Sequence, residues 1–420
     1  MTIENELEVM GFWWILGHDE TKFPGVLKYS KEHGTTLEIF QNEKHEEICW
    51  DNNYDVISGV ADTKIFTLYK SSLIASSSSR MKYYTLKSEL LLCGSFYLED
   101  KADLKFSKIV SEISNTIQWF RRFNSLKIET KFKTEEHRNI NIEIKPLQID
   151  FNINDSLTGY VYAGYTNSNR FFDQSFRING TICFGIESKN KSLIDYHILS
   201  QKMNVLRIFF SILFGSICTY EEQFLKRPEF DTSLRLYTRN SFGESAVDYA
   251  LFEFEDVEDT FGNILENWFQ LQENIPEVIS LFYNSFTANQ FYEYHFRESY
   301  IALEGIFQWK KNQDTQNKHI INILLNELMR TKKDTVSDFE EIVKDYKRWG
   351  EVARRNRHFQ THLNKIKYVD DIVDTQDLFT LNKKILAIVL FYILEGLGFS
   401  DEQINNVFKK HKHNFLPHFY

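Results

Sequence analysis

The residues best suited to chemistry lie between Val352 and Val369, where basic side chains are dense and acidic ones are missing. The basic residues of this stretch are Arg354, Arg355, Arg357, Lys365 and Lys367. The chain as a whole carries a formal net charge of −10, so this stretch reverses the overall sign locally. Because a chain of this charge repels polyanions, any phosphate-binding site must be a local patch of this kind.

Arg355 and His362 are seven residues apart in this stretch. At 3.6 residues per turn they lie within about 20° of each other on one helix face, whereas Arg357 and His362 are about 140° apart. An arginine fork clamps phosphate oxygens, and a histidine with a pKa of about 6.5 can accept and donate protons near neutrality. The pair therefore suits phosphodiester chemistry without a metal. A helix that ended at Phe359 or Gln360 would leave the pairing open.

The helix that positions these residues has a marked start. Ser337 and Glu340 form a Ser-x-x-Glu pattern typical of a capping box, and apolar residues follow at helical spacing. The periodicity predicts further helices from residue 256 onward, which gives these helical ranges: 256–270, 276–283, 290–310, 319–330, 337–357, 376–396 and 401–410.

The N-terminal half has a different pattern. Up to about residue 190, short segments rich in β-branched and aromatic residues alternate with polar turns, which predicts a sandwich or barrel. A buried helix is expected to end near Gly215, and the serine run Ser76–Ser79 is expected to form a loop tip. The fold class is therefore α+β and multidomain, with a β-rich N-terminal domain (1–220), a connector of strand and helices (221–285) and an all-α bundle (286–420).

Arg355-Asn356 followed by His362 resembles the R-x4-6-H signature of the HEPN superfamily, whose ribonucleases typically have a polar residue directly after the arginine. The helical setting of 286–420 also resembles a HEPN domain. The segments Gly11–Ile15 and Phe176–Gly180 resemble the β-rich N-terminal domain of the ApeA family of anti-phage HEPN nucleases. The resemblance covers nearly the whole chain and implies that 1–220 is a regulatory or sensor domain and that 286–420 is the nuclease.

The resemblance implies a metal-independent endoribonuclease of prokaryotic anti-phage defence by abortive infection, with no cofactor. Its substrate would be tRNA or single-stranded RNA. A ribose 2′-OH would attack the adjacent phosphorus, with His362 as general acid or base and Arg355 stabilising the phosphoryl oxygens. Asn356 would orient the scissile phosphate or the histidine ring. The resemblance further implies a homodimer through the HEPN domain and a phage-derived trigger.

The residues around the motif leave alternatives open. Arg354, Arg357, His358 and Lys365 are candidates for binding RNA phosphates, although solvent-facing charges fit the same pattern. Their crowding leaves open which arginine is primary. Glu304 could face the motif and hold an arginine, although a surface carboxylate is the simpler interpretation. The aromatic and basic run from Trp119 to Phe123 could stack bases or belong to a core.

Several other classes of protein find no support in the sequence. The four cysteines lie far apart, which argues against a disulfide framework and a zinc site, and the nucleotide-binding and serine-hydrolase motifs are missing. The apolar runs are too short to span a bilayer and the first residues do not form a secretory signal, so we expect a cytoplasmic protein without membrane partners. The alternative functions are a non-catalytic HEPN module for dimerisation or RNA binding, and a metal-dependent nuclease, which would need a carboxylate cluster.

Overall fold

The structure is a computed structural model. It describes the following residues: 6–41, 50, 53–78, 82–96, 98, 104–120, 126–134, 137–144, 147–170, 175–239, 250–287, 291–312, 319–331, 343–362 and 372–410.

Most of the described strands lie before about residue 190, where the alternating sequence pattern predicts them, and three lie beyond it. Their bounds are β1 Glu6–Ile15, β2 Phe23–Ser30, β3 Gly34–Gln41, β4 Tyr54–Ala61, β5 Lys64–Ser78, β6 Lys82–Gly94, β7 Lys105–Phe106, β8 Lys108–Ile113, β9 Leu126–Thr134, β10 His137–Ile144, β11 Gln148–Asn152, β12 Leu157–Arg170, β13 Ser175–Ser188, β14 Ile194–Asp195, β15 Tyr220–Lys226 and β16 Leu234–Tyr237.

Six strands close into a barrel because β6 pairs on one side with β3 and on the other with β5. The order around the barrel is β6-β3-β2-β1-β4-β5, and all of these pairs are antiparallel. Large side chains such as Trp13, Phe23 and Phe66 are almost fully buried in its core cluster. Gly59 is required by this packing, since a Cβ there would lie 2.0 Å from the Trp13 ring.

The same sheet continues beyond the barrel. From β6 it runs through β16, β15, β8, β13 and β12 to β11, again with antiparallel pairs. Two short pairings, β9 with β10 and β7 with β14, stand apart from it. The predicted loop tip is wrong for Ser76–Ser78, because these residues extend β5 and pair with Tyr84, Tyr83 and Lys82. Ser79 lies outside the described residues.

The helices follow the sequence periodicity closely. Their bounds are α1 Thr116–Trp119, α2 Tyr196–Phe214, α3 Phe261–Asn274, α4 Pro276–Thr287, α5 Tyr292–Lys311, α6 Ile320–Thr331, α7 Tyr346–His362, α8 Thr375–Gly396 and α9 Asp401–Lys410. Two 3-10 turns, Phe254–Asp256 and Glu258–Thr260, precede α3 where the sequence predicts the helix itself. The predicted capping box at Ser337 and Glu340 lies outside the described residues. No helix among the described residues is both long and apolar enough to cross a membrane.

The chain divides into two compact units. The first contains 1–118, 123–207 and 219–244, and the second contains 119–122, 208–218 and 245–420. This division differs from the predicted connector 221–285, because β15 and β16 pair within the sheet of the first unit while α3 and α4 belong to the second.

The second unit has an aromatic core. Trp119 and Phe120 are buried in it, and the Trp119 indole nitrogen donates a hydrogen bond to the Phe252 carbonyl at 2.8 Å. The two rings therefore pack in the interior and are not available to stack bases. Arg121, Arg122 and Phe123 lie outside the described residues.

Candidate functional site

The helix α7 carries the predicted motif. It continues as far as His362, so Arg355, Asn356 and His362 belong to one uninterrupted helix. The condition for pairing Arg355 with His362 is thereby met, since two positions seven apart on a continuous helix share a face. Lys365 lies outside the described residues.

Glu351 holds two arginines of this helix. Its carboxylate accepts hydrogen bonds from Nε and Nη2 of Arg354, at 2.9 and 2.7 Å, and from Nε of Arg355 at 2.8 Å. The spacings are three and four residues, which bring side chains together on a helix surface. The Arg355 side chain remains 37% exposed, so the guanidinium is held by Glu351 and still reachable from solvent.

The two arginines change the acidity of Glu351. Hydrogen bonds and charge from Arg354 and Arg355 stabilise the ionised carboxylate and lower its pKa to about 2. His319, which directly precedes α6, also lies near, with Nδ1 at 3.3 Å from the carboxylate. Glu351 therefore stays ionised throughout the neutral range and keeps the arginines in place.

Arg357 is held by a different helix. Its Nη2 donates to Glu304 Oε2 on α5 at 2.9 Å, and both side chains are largely buried. Burial raises the pKa of Glu304, while the charge of Arg357 opposes that shift. Tyr300, one turn earlier on α5, is buried beside this pair, and burial raises the pKa of its hydroxyl. Glu304 thus faces α7 and holds an arginine, and it is not an isolated surface carboxylate.

Asn356 is almost fully buried, and its side-chain amide is occupied on both sides. Its Nδ2 donates to the Val352 carbonyl at 2.9 Å, and its Oδ1 accepts from the Val373 backbone N–H at 3.2 Å. The amide therefore ties α7 to the chain just before α8. This geometry suits a positioning residue better than one that touches a phosphate directly.

The remaining sequence candidates are Arg354 and His358, which are both half-buried on α7. The three arginines lie within one turn of α7, where Arg354 and Arg355 share Glu351 and Arg357 pairs with Glu304 instead. Sequence reasoning missed Glu351, which lies one position before the acid-free stretch. The signal was available, since a glutamate four residues before an arginine is a favoured helix pair.

This arrangement offers a solvent-accessible guanidinium and a histidine position two turns further along the same helix. A phosphodiester needs such groups, one to stabilise charge on the phosphoryl oxygens and one to move a proton. Among the described residues, no group of three or more His, Cys, Asp or Glu side chains could hold a metal ion.

Two family models match the chain. Residues 8–268 match ApeA N-terminal domain 1, and residues 263–403 match the Apea-like HEPN domain. No curated protein and no solved structure matches the sequence. HEPN domains are typically nucleases, and the matched HEPN region includes the whole of α7. The first model alone covers more than half of the chain, so this protein belongs to the ApeA-like HEPN family.

Proposed function

We propose that the protein is a metal-independent endoribonuclease of prokaryotic anti-phage defence. The observation that carries the proposal is the continuous helix α7, which places Arg355 and His362 two turns apart on one face within the matched HEPN region. The substrate is single-stranded RNA or tRNA.

The reaction begins with attack of a ribose 2′-OH on the adjacent phosphorus. The 5′-oxygen of the next nucleotide leaves, which produces a 2′,3′-cyclic phosphate and a free 5′-hydroxyl. His362 moves a proton to or from one of these oxygens, and Arg355 stabilises the charge on the phosphoryl oxygens. DNA lacks the attacking hydroxyl and should survive.

Two further residues position this machinery. Glu351 accepts from Arg355 Nε and so fixes the plane of the guanidinium fork. Asn356 accepts a hydrogen bond from the Val373 backbone and so fixes the position of α7, along its axis, relative to the start of α8. Arg354, Arg357, His358 and Lys365 contribute to RNA binding in this proposal.

One arginine and one histidine are few for acid and base roles together. We therefore infer that the active enzyme is a homodimer that forms through the HEPN domain, so that the motifs of both chains contribute to one site. An always-active ribonuclease would damage its own cell, so the β-rich N-terminal part acts as the control element that answers a phage-derived trigger. This assignment of roles rests on fold-level analogy.

One observation favours a second candidate, a HEPN module that binds RNA without cutting it. Arg354 and Arg355 are both paired with Glu351, and Arg357 is paired with Glu304. Arginines in ion pairs within a domain can serve structure alone.

The test incubates the purified full-length chain with tRNA and with single-stranded RNA in EDTA. Wild-type protein should cut RNA, leave DNA of the same sequence intact, and generate 2′,3′-cyclic phosphate ends. Arg355→Ala and His362→Ala should each lose about 10²- to 10³-fold in rate, the usual cost of one preorganised catalytic group.

Arg330→Ala is the matched control, since Arg330 is exposed on α6 in the same unit. It should cut at the wild-type rate. Binding without cleavage would support the non-catalytic module, and activity that EDTA abolishes would support a metal-dependent nuclease. Normal cleavage by Arg355→Ala or His362→Ala would refute the assignment of those residues.

A further inference from the structure

A pocket of about 590 Å³ lies beside the motif, between the start of α5, the later turns of α7 and the start of α8. Its volume falls within the usual range of small-molecule sites, about 300 to 1,000 Å³. All of its lining residues belong to the second unit. The proposed ribonuclease mechanism assigns no role to this pocket.

Phe359 connects the pocket to the motif. It lines the pocket from α7, four residues after Arg355 and three before His362. Those spacings put its backbone position next to both on the helix surface, about one 5.4 Å turn from Arg355. A ligand whose phosphate contacts Arg355 can therefore place a neighbouring group in the pocket.

The walls of the pocket are aromatic and basic. Phe291 is 84% exposed, the largest exposed fraction of any large apolar side chain in the described residues. The Arg297 guanidinium lies 4.8 Å from the centre of the Tyr294 ring, and both residues line the pocket. Unpaired bases stack on such aromatic faces and on guanidinium planes.

The pocket also presents a carboxylate. Glu293 lines it and is exposed, and its carboxylate makes neither a hydrogen bond nor an ion pair with any described residue. The other carboxylate, Asp374, is already used, because it accepts from the Asp377 backbone N–H as the N-cap of α8. Glu293 can therefore accept from an amino group of a ligand, as Asp and Glu accept from N4 of cytosine.

We infer that this pocket holds one unpaired RNA base that carries an exocyclic amino group, stacked on Phe291 and Tyr294 and hydrogen-bonded to Glu293. An apolar peptide side chain would fill the same walls but leave Glu293 without a partner, so a base fits the whole lining better. The inference rests on the proposed function, since it takes the adjoining phosphate to be that of the RNA substrate.

The test measures binding by fluorescence anisotropy with the full-length His362→Ala protein, which should not cleave its ligand. The probes are end-labelled 12-nucleotide oligocytidine and oligouridine, which differ in the group at position 4 of the base. The parent should bind oligocytidine more tightly. Phe291→Ala should weaken that binding by about 5- to 150-fold, the cost of one lost base stack.

Two matched variants and a control define the contacts. Phe291→Tyr keeps an aromatic face and should bind as the parent does. Glu293→Gln should remove the preference for oligocytidine over oligouridine. Ile301→Ala, a partly exposed position on α5 that does not line the pocket, should leave both affinities unchanged.

The outcomes separate this inference from the proposed function. Phe291-dependent RNA binding by a wild-type protein that never cuts RNA would sustain the pocket and refute the nuclease. Cleavage that depends on His362 together with normal RNA binding by Phe291→Ala would refute the pocket alone. Equal affinity of the parent for the two probes, or no binding of either, would overturn the inference. If Phe291→Ala left RNA binding unchanged and altered only the molecular mass measured by light scattering, the pocket would instead bind a second copy of the chain.

Discussion

Glu351 determines how the charges of α7 are arranged. One carboxylate accepts from two arginines on the same helix and lies near His319, which directly precedes α6. The acid-free stretch predicted from sequence is therefore partly neutralised by the residue just before it. Glu351 fixes the orientation of the Arg355 guanidinium, and its negative charge partly cancels the positive electrostatic potential of that group.

This pairing predicts a specific dependence of stability on pH. The pKa of Glu351 is about 2 in the folded protein, below its ordinary value of 4.5. A lowered carboxyl pKa adds stability above the unfolded-state pKa, and that stability disappears as the pH falls through the folded-state pKa. The contribution should therefore be lost between about pH 4.5 and pH 2.

The comparison of wild type with Glu351→Gln isolates this group. Urea unfolding of both proteins at steps between about pH 6 and pH 3 should show a steeper loss of stability in the wild type. The variant should be less stable at pH 6, and the two curves should converge towards low pH. Parallel curves over this range would contradict the ion-pair assignment.

At the level of single residues, the sequence predicts the positions of these side chains on α7 and offers Glu304 as a partner for an arginine, but it does not say which arginine. The facing of Arg355 and His362 follows from helical periodicity alone. The partner of Arg357 lies 53 residues away on α5, and the partner of Asn356 lies 17 residues away. Such contacts depend on how helices pack, which the local spacing of residues does not encode.

Among the elements, the helices of the second unit pack closely through small residues. Gly305 on α5 lies against α4, and a Cβ there would be 2.4 Å from Val278 Cγ2. Gly350 on α7 faces α6, where the corresponding distance to Ile321 Cγ2 is 3.0 Å. The α5 position therefore tolerates a methyl group less well than the α7 position.

Gly305→Ala should destabilise the protein although alanine favours helices. The gain in helix propensity is about 1 kcal/mol, while overpacking costs about 1 to 3 kcal/mol. Urea unfolding followed by far-ultraviolet circular dichroism should show a lower midpoint. Gly350→Ala should lower the midpoint less. Adding Val278→Ala to Gly305→Ala removes the close contact and should restore part of the lost midpoint. A raised midpoint in Gly305→Ala would show that α4 can move away without cost.

The type of each element was predictable, but several boundaries were not. The prediction for α8 is one residue from its observed start, because the Asp374 N-cap and the long apolar run define it. The start of α3 is five residues later than predicted, since two 3-10 turns precede it and share the same acidic, helix-like composition. Ser76–Ser78 belong to a strand because β6 supplies their partners, which overrides their local preference for turns.

For the whole molecule, the contrast between net charge and local charge determines what the proposed RNA binding should look like. The chain carries −10, and the described basic residues of the motif are three arginines with acidic partners. Few phosphates can therefore be neutralised at once. The logarithm of the affinity falls with the logarithm of salt concentration by about 0.7 per phosphate contact for single strands.

We expect a slope of about −2 for oligocytidine and the His362→Ala protein between about 50 and 200 mM KCl, which corresponds to about three contacts. Adding Arg355→Ala should make the slope shallower by about 0.7. Adding Arg330→Ala should leave it unchanged. A slope steeper than about −4 would mean that an extended basic surface, and not the motif, binds the RNA.

The sequence left the choice between sandwich and barrel open for a physical reason. Alternating residues predict strands and their buried face, but closure depends on which strands become neighbours. Here the barrel closes where β6 pairs with β3, more than forty residues earlier in the chain, and the sheet continues outside the barrel where β6 pairs with β16, about 140 residues later. Those pairings are long-range, so no local pattern announces them.

The placement of β6 has a consequence for local unfolding. Its residues Leu91, Leu92 and Cys93 are bonded to β5 on one side and to β16 on the other, while the earlier residues of the strand lie between β5 and β3. Successive backbone amides point to opposite neighbours, so separating β5 from β6 exposes some of these amides and detaching β16 exposes the others. In deuterated solvent they should be among the last of the first unit to lose their protons, and proteases should find this strand the hardest to reach.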